Sequence, residues 1–318
     1  MACTTEMLRL IFGDVTLGVA GEGFHYIFSY AKGALESLVC AGREWLYRPV
    51  MPTFWRALTD NDRGSHFHLK SGMWLAADAF IAPVGVRVAV DGQEIPLPIA
   101  PENNRFGCDE RAQRVAITFA YETVTRPAAQ VEVTYAVAAG GKMTVTCVYH
   151  GQEGLPELPV FGLRLIMPTA ADGYRYEGLS GETYPDRMAG AARGVFEVKG
   201  LPVTPYLVPQ DCGMHMQSEW VEITRSTSLA NTDRARRACT LRIVREGEPF
   251  AFSCLPYTAM ELESATHHEE LPPVRRTVLC LYGAVRGVGG IDSWGTDVED
   301  ACRVSAQGDL AFSFAIEP

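Results

Sequence analysis

The side chains best suited to acid–base chemistry are six carboxylates in unusually polar segments of the sequence. Those segments span residues 52–64, 176–187, 206–213 and 287–295. Two carboxyl groups held about 5 Å apart can act as acid and nucleophile in retaining glycoside hydrolysis, provided that one pKa is raised. Carboxylates in such turns more often accept hydrogen bonds from nearby backbone N–H groups. We favour this structural role for all six: Asp60, Asp62, Glu177, Glu182, Asp186 and Asp292.

One tryptophan lies in a segment that does not look like a strand. Trp294 follows Gly287-Val288-Gly289-Gly290-Ile291-Asp292-Ser293 and precedes Gly295. A core tryptophan normally has apolar neighbours at strand spacing, whereas an exposed indole can stack on the C–H face of a sugar. The local sequence therefore leaves two roles open for Trp294, a ligand platform or a structural corner.

The histidines and cysteines lack the spacing of a metal site. His267 and His268 are adjacent, so their side chains diverge, and for His66 and His68 a solvated or gate-lining role is favoured over metal binding. No cysteine pair has CxxC spacing. We interpret the nine cysteines as reduced core residues of a cytoplasmic protein: Cys3, Cys40, Cys108, Cys147, Cys212, Cys239, Cys254, Cys280 and Cys302.

Charge and hydropathy exclude several classes of partner. The formal net charge is −10, and the basic residues do not cluster, so nucleic acid is not an expected partner. No apolar run approaches the length of a membrane span. The N-terminus lacks the basic and apolar regions of a secretory signal. We therefore predict a cytoplasmic protein with no membrane partner.

The elements that must position these residues are mainly strands. In Gln130–Val137 and Met143–Tyr149, apolar residues alternate with polar ones, and Gly140-Gly141 lies between the two runs, as in a hairpin. This pattern predicts an all-β fold, a large antiparallel β-sandwich. The other candidate strands are Val86–Val90, Gln93–Leu97, Val115–Val124, Glu219–Ile223, Thr240–Val244, Arg276–Tyr282 and Leu310–Ile316.

Helices should be few and short. Ser71–Phe80 is one candidate, and Thr258–Ala265 is another because Thr258 and Glu261 have the spacing of a capping box. Neither an internal repeat nor a clear change of composition divides the chain. We therefore predict a single domain over residues 1–318.

Three motifs in the polar segments carry a resemblance to a known family. They are Arg56-Ala57-x-x-Asp60-Asn61-Asp62-x-Gly64, Gly181-Glu182-x-Tyr184-Pro185-Asp186-Arg187 and Gly289-Gly290-x-Asp292-Ser293-Trp294. In this order and at similar spacing, they resemble the C-terminal domain of the β-galactosidases of glycosyl hydrolase family two. The resemblance runs from about Gly18 to the C-terminus. The stretches 21–30 and 283–290 resemble still more closely the small chain of the two-chain enzymes of lactic acid bacteria.

The resemblance implies a fold, and it implies that two subunits have different roles. It implies a supersandwich like that of galactose mutarotases, with the catalytic glutamates and the magnesium and sodium ions in the barrel of a large partner subunit. This chain would then have no catalytic residue, metal site or cofactor of its own. The expected substrate is a terminal β-D-galactoside such as lactose.

The resemblance also implies substrate contacts. Trp294 would stack on the sugar, and a mobile loop would begin at Gly64 and continue through Ser65, His66, Phe67 and His68. The residues expected to bind substrate are Trp294, Gly64, Ser65, His66, Asp292 and Ser293.

Two other interpretations remain open. A stand-alone carbohydrate-binding or aldose-epimerase-like sandwich would have a similar strand pattern. An epimerase needs a histidine acid and a glutamate base in one groove, and His150 and His215 are the available histidines. The sequence could also be a domain excised from a longer β-galactosidase.

Overall fold

The structure is a computed structural model that describes residues 7–100, 110–231 and 237–318. Alternating side chains build most of it: in Arg114–Glu122, buried residues alternate with less buried ones, so one face of the strand packs on the core. The described part contains 21 strands, and its strand pairings are antiparallel. The predicted all-β antiparallel class is confirmed.

The strands are numbered in chain order. The first twelve are β1 Leu8–Phe12, β2 Thr16–Gly21, β3 Phe24–Ser29, β4 Ala34–Cys40, β5 Arg43–Glu44, β6 Met51–Thr53, β7 Ala82–Val90, β8 Gln93–Ile95, β9 Arg111–Ala112, β10 Arg114–Glu122, β11 Gln130–Ala138 and β12 Met143–His150. The remaining strands are β13 Val160–Met167, β14 Gly173–Leu179, β15 Arg193–Lys199, β16 Met214–Ser218, β17 Trp220–Arg225, β18 Cys239–Arg245, β19 Phe250–Leu255, β20 Thr277–Val285 and β21 Leu310–Glu317. Each strand predicted from alternation coincides with one of these to within a few residues.

Three sheets form the sandwich. The six-stranded sheet has the order β5-β4-β3-β2-β1-β9, and the ten-stranded sheet has the order β15-β14-β17-β18-β21-β12-β11-β10-β7-β8. The five-stranded sheet has the order β16-β19-β20-β13-β6. The two smaller sheets cover the inner face of the largest one. Phe28 of β3 lies 5.4 Å from Tyr135 of β11, and Phe161 of β13 lies 5.7 Å from Tyr149 of β12, measured between ring centroids.

The five-stranded sheet is buried on both faces, and its outer face leads to the polar segments. In β20, Leu279 and Leu281 belong to the main core, whereas Val278, Cys280 and Tyr282 pack into a second cluster on the opposite face. That second cluster includes a tyrosine from one of the polar segments, Tyr184. The outer face of this sheet therefore supports the candidate site.

Among the described elements, four short α-helices connect the strands: α1 Asp60–Gly64, α2 Phe67–Ser71, α3 Met73–Phe80 and α4 Ala259–Ser264. Two 3₁₀ turns lie at His268–Glu270 and Asp300–Cys302. The predicted helix Ser71–Phe80 corresponds to α3, and α4 begins after Thr258 with the predicted capping box. None of the described helices is long and apolar enough to cross a membrane.

The described cysteines are free thiols. Six of them are buried and Cys302 is partly buried, which agrees with the prediction of reduced core cysteines. Cys3 and Cys108 lie outside the described residues.

Candidate functional site

Helix α1 lies at the centre of the candidate site. Thr59 caps it: the Thr59 hydroxyl accepts a hydrogen bond from the backbone N–H of Asp62 (3.1 Å), and the Asp62 carboxylate accepts one from the backbone N–H of Thr59 (2.9 Å). The spacing Thr-x-x-Asp thus satisfies two N–H groups that a short helix would otherwise leave without partners. We interpreted residues 52–64 from sequence as a turn and did not recognise the capping box formed by Thr59 and Asp62.

Asp62 forms a buried ion pair with two arginines. Its carboxylate lies 2.5 Å from Nη1 of Arg56 and 3.4 Å from Nη1 of Arg286, and all three side chains are buried. Burial alone would raise the pKa of Asp62. The Arg56 guanidinium and the hydrogen bonds from Thr59 outweigh burial and lower that pKa below its ordinary value. Asp62 is therefore a structural anion. Arg63, which follows Asp62 in sequence, pairs instead with Asp60.

Arg286 joins helix α1 to the segment that carries Trp294. Besides Asp62, its guanidinium donates to Glu157 (3.0 Å) and to Asp297, and it lies 4.0 Å above the ring of Phe67. Because it is fully buried, these contacts define its position. Sequence reasoning did not single out Arg286. The available signal was a charged residue directly after the apolar run of β20.

Asp186 holds the glycine-rich segment that precedes Trp294. Its carboxylate accepts hydrogen bonds from the backbone N–H groups of Val288 (3.0 Å) and Gly289 (2.7 Å). Arg187 donates to the Gly289 carbonyl, and the Asn61 side chain donates to the Val288 carbonyl (3.0 Å). Hydrogen bonds from two of the polar segments, 52–64 and 176–187, thus hold the backbone of a third, 287–295, in place.

The loop around Trp294 is held by its own aspartate. The Asp292 carboxylate accepts hydrogen bonds from the backbone N–H groups of Trp294 (2.9 Å) and Thr296 (3.2 Å) and from the Thr296 hydroxyl (2.6 Å). The hydroxyl and N–H donors lower the pKa of Asp292. The Trp294 side chain is 91% exposed, and its neighbours Asp292 and Ser293 are exposed too.

Gly64 lies against this loop, as expected. A Cβ placed on Gly64 would lie 3.7 Å from Cα of Gly295. The surrounding segment is not the loop that we predicted, however. Gly64 ends α1, Ser65 and His66 form the connection, and Phe67 and His68 begin α2. The capped first helix and the burial of Phe67 beneath Arg286 explain this difference, since both favour helical turns over an extended loop.

A cleft of about 400 Å³ lies beside α1. Its deepest carboxylate is Asp211, which accepts a hydrogen bond from the Tyr184 hydroxyl (2.8 Å). Burial raises the pKa of Asp211 to about 7, although the nearby Arg56 opposes this shift. The residues that line the cleft are Thr59, Asp60, Asn61, Glu182, Tyr184, Arg187, Tyr206, Gln210, Asp211 and Val288. Asp211 was absent from the predicted carboxylates.

The six predicted carboxylates all accept hydrogen bonds from the protein. Glu182 accepts from the backbone N–H of Gly213 (2.7 Å), and Asp60 accepts from Arg63 and Gln210. Glu177 accepts from the indole N–H of Trp220 (2.8 Å) on the ten-stranded sheet. These contacts agree with the structural role that we favoured.

The two histidines considered for an epimerase, His150 and His215, do not share a groove, whereas the rings of His66 and His68 lie 6.3 Å apart between centroids. His215 lies in β16 against Tyr176 and Phe252, whereas His150 ends β12 of the ten-stranded sheet and is exposed. His267 pairs with Glu270 at the surface. Within residues 7–100, 110–231 and 237–318, no group of three or more His, Cys, Asp or Glu side chains could hold a metal ion.

Comparison with known proteins gives one family. The family model described as β-galactosidase small chain matches residues 20–316. The β-galactosidase small subunit of Latilactobacillus sakei is 61% identical over 316 residues, which cover 99% of both chains. The β-galactosidases of Halalkalibacterium halodurans and Lactobacillus delbrueckii subsp. bulgaricus are 34% and 32% identical. The chain spans about 28% of the length of each of these two longer proteins.

A solved structure from Lactobacillus casei is similar over most of its length. This galactose mutarotase-like protein superposes with a TM-score of 0.46 at 11% identity, covering 95% of this chain and 99% of the other. A likeness at this level supports no functional argument. The assignment of the fold rests on the three antiparallel sheets.

Proposed function

The chain belongs to the β-galactosidase small-chain family, and from this premise we propose that it is the non-catalytic subunit of a two-chain β-galactosidase. In this assembly a large subunit supplies the catalytic glutamates and holds the magnesium and sodium ions. The small subunit completes the active-site mouth, and the enzyme hydrolyses terminal β-D-galactosides such as lactose.

The exposed indole of Trp294 is the observation that carries the proposal. Because the indole is 91% exposed, its apolar surface contributes little hydrophobic free energy to folding. The chain nevertheless holds it on a loop braced by Asp292, and Asp186 fixes the glycine-rich segment before it. Such a fixed platform suits a sugar, because the C–H face of a galactoside can pack on an indole ring.

The other proposed substrate contacts surround this platform. Ser293 and Asp292 adjoin Trp294, and Gly64 contacts Gly295. The short Ser65–His66 connection follows Gly64 directly, so it would lie at the same mouth. Their contribution is to position the galactoside, while bond cleavage takes place on the large subunit.

The free cysteines support a reducing compartment. Burial raises the pKa of several of these thiols, including Cys40 and Cys212 to about 11 and 12, so they are poorly reactive. Disulfides are rare where glutathione keeps thiols reduced. We propose that the protein works in the cytoplasm.

The test is reconstitution with a large subunit. The chain is purified from a host without β-galactosidase and assayed on lactose and nitrophenyl galactoside, alone and mixed with the large subunit that partners the L. sakei relative. We expect no turnover by the chain alone and turnover by the mixture above that of the large subunit alone. Heat-denatured chain is the control. Turnover by the chain alone, or no gain on mixing, would overturn the proposal.

A further inference from the structure

Three arginines line a cavity of about 400 Å³ beside the first residues of β20, at the opposite end of that strand from Arg286. Among the described residues, its charged lining consists of Arg48, Arg275, Arg276 and Glu261. Three guanidinium groups and one carboxylate give this lining a net charge of +2, whereas the whole chain has a net charge of −10. We refer to this site as the arginine cavity.

Contacts with the five-stranded sheet and its flanking segment hold these arginines in place. The backbone N–H of Tyr47 donates to the carbonyl of Ile166 in β13 (2.7 Å), which anchors the segment that carries Arg48. Nη1 of Arg276 donates to the carbonyl of Pro168 (2.9 Å), and the same guanidinium lies 3.8 Å above the Tyr47 ring. Part of the positive charge is therefore positioned before any ligand binds, which lowers the entropic cost of binding.

The carboxylate of the cavity does not neutralise the arginines. Glu261 belongs to the capping box of α4, where its Oε2 accepts hydrogen bonds from the backbone N–H (2.8 Å) and the hydroxyl (3.0 Å) of Thr258. Its Oε1 lies 3.6 Å from Nη2 of Arg275, beyond the range of a good hydrogen bond. Within the described part of the chain, no carboxylate forms an ion pair with Arg48. The cavity therefore retains unused guanidinium donors.

The pKa of Tyr47 responds to these charges. The hydrogen bond from Arg276 and the charge of that guanidinium lower this pKa, and the charges of Arg48 and Arg275 act in the same direction. All three arginines therefore favour a negative charge at the phenol oxygen. An anion bound beside this oxygen would be stabilised by the same three charges.

The charge and the shape of the cavity suit a phosphate monoester. Such a group carries about −1.5 to −2 at neutral pH, which complements the net charge of the lining, whereas a carboxylate or a sulfate ester carries a single negative charge. The planar guanidinium fork of arginine can donate to two phosphate oxygens at once. Ile166 and Val278, which pair across β13 and β20, give the cavity an apolar wall that suits the organic part of an ester.

We propose that the arginine cavity binds a small phosphate monoester. Its phosphate accepts hydrogen bonds from Arg48, Arg275 and Arg276, and its organic part packs against Ile166 and Val278. This inference goes beyond the proposed function, because a neutral galactoside has no group that requires three cations.

The experiment is isothermal titration calorimetry of the purified chain in phosphate-free buffer near neutral pH. The probes are phenyl phosphate, phenyl sulfate and inorganic phosphate. The variants are Arg48→Gln and Arg275→Gln, whose side chains are exposed, so folding should be preserved. Arg87→Gln is the matched control, because Arg87 is also exposed (52%) but pairs with Glu132 on the ten-stranded sheet. Thermal unfolding of each variant checks that it is folded.

We expect wild type to bind phenyl phosphate more tightly than phenyl sulfate, which has a similar shape but less charge. Inorganic phosphate should bind more weakly than phenyl phosphate because it has no organic part to pack on the apolar wall. Arg48→Gln and Arg275→Gln should each weaken binding of phenyl phosphate roughly threefold or more, and Arg87→Gln should bind like wild type. Added potassium chloride should weaken binding, and less so in the two cavity variants.

Each other outcome would overturn the proposal or part of it. If wild type does not bind phenyl phosphate, the site is wrong, and a loss of affinity for a large subunit in Arg48→Gln would then assign the cavity to an acidic group of that partner. Equal affinity for phenyl phosphate and phenyl sulfate would exclude recognition of a dianion. Inorganic phosphate that binds as tightly as phenyl phosphate would make free phosphate the ligand. An equal loss in Arg87→Gln would show non-specific charge attraction.

Discussion

Gly295 packs directly on the carbonyl of Gly64: a Cβ at Gly295 would lie only 2.7 Å from that oxygen. This close approach joins the Trp294 loop to the end of helix α1. Gly295 also has a φ of +84°, which glycine adopts at little cost. The position of Trp294 therefore depends on residue 295 being a glycine.

The first prediction concerns this contact. Gly295→Ala should push the Trp294 loop away from Gly64 and raise KM for galactosides in the reconstituted enzyme. Gly308→Ala is the control, since a Cβ there would meet no atom within 4 Å, φ there is not left-handed, and Gly308 lies outside the contacts that hold the Trp294 loop. Steady-state kinetics of both variants test this. Equal KM values for the two variants would contradict it.

The second prediction concerns Trp294 itself. Trp294→Ala should leave thermal unfolding nearly unchanged because the side chain is exposed. In the reconstituted enzyme it should weaken substrate binding by roughly 1–3 kcal/mol, the scale of one aromatic contact. Trp74→Ala is the contrasting variant: Trp74 is fully buried, so its loss should cost about 3–5 kcal/mol of stability. A large fall in Tm with unchanged KM in Trp294→Ala would mean that Trp294 is structural.

The third prediction concerns Arg286. Arg286→Met removes the bridge between Asp62 and Asp297 and leaves the buried Asp62 with Arg56 as its remaining ion-pair partner, which should cost about 3–5 kcal/mol of stability. It should also raise KM, because Trp294 and Gly64 lose a common support. Arg164→Met is the matched control. It breaks the buried Arg164–Asp78 pair (2.6 Å) between β13 and α3, outside the contacts that hold the Trp294 loop.

Both arginine variants should lower Tm, and Arg286→Met alone should raise KM. Asp297→Asn gives a second test if Arg286→Met does not fold, since Asp297 is only partly buried. A normal KM in Asp297→Asn and Arg286→Met would restrict Arg286 to a role in stability.

The fourth prediction concerns pH and His215. Burial lowers the pKa of His215 to about 4 from its ordinary value of 6.5. Its Nδ1 donates to the Gly181 carbonyl (2.9 Å), so its Nε2 accepts from the Tyr174 hydroxyl (2.9 Å). Between pH 6.5 and 4 the unfolded chain therefore binds more protons than the folded chain. Stability should fall by up to roughly 3 kcal/mol as pH falls through this window.

Denaturant unfolding of wild type and His215→Gln from pH 4 to 8 measures this effect. The free energy of unfolding should depend less steeply on pH in the variant, because the titrating group has been removed. Curves that run parallel for the two proteins would exclude His215 as the source.

The fifth prediction concerns Asp211, whose effect on the pH dependence of stability is opposite to that of His215. Burial raises its pKa to about 7 from 3.8, so the folded chain retains a proton that the unfolded chain has lost. This contribution should therefore reduce stability as pH rises from 3.8 to 7. In Asp211→Asn that decrease should be absent, and the same unfolding series shows whether the variant gains stability relative to wild type toward pH 8. No relative gain would contradict the raised pKa.

Local sequence was sufficient for much of the fold. Alternation in β11 and β12 predicted both strands, and the capping box at Thr258 predicted α4, because these signals depend on residues within a few positions of one another. Alternation failed in β19, where all six residues are buried and no polar face exists. A strand covered on both sides has no period-2 pattern.

In the candidate site too, some features could be predicted from local sequence and others could not. Small and polar neighbours indicated that Trp294 lies outside a strand, since this is a property of its own segment, and the structure shows the side chain exposed. The support behind it could not be predicted, because Asp62 and Arg286 are 224 positions apart in sequence and meet only when β20 and α1 pack together. The cleft likewise requires segments around residues 60, 184, 210 and 288. Sequence patterns report which groups prefer water or backbone contacts, whereas the choice of partner for a buried charge is decided by the three-dimensional packing of distant segments.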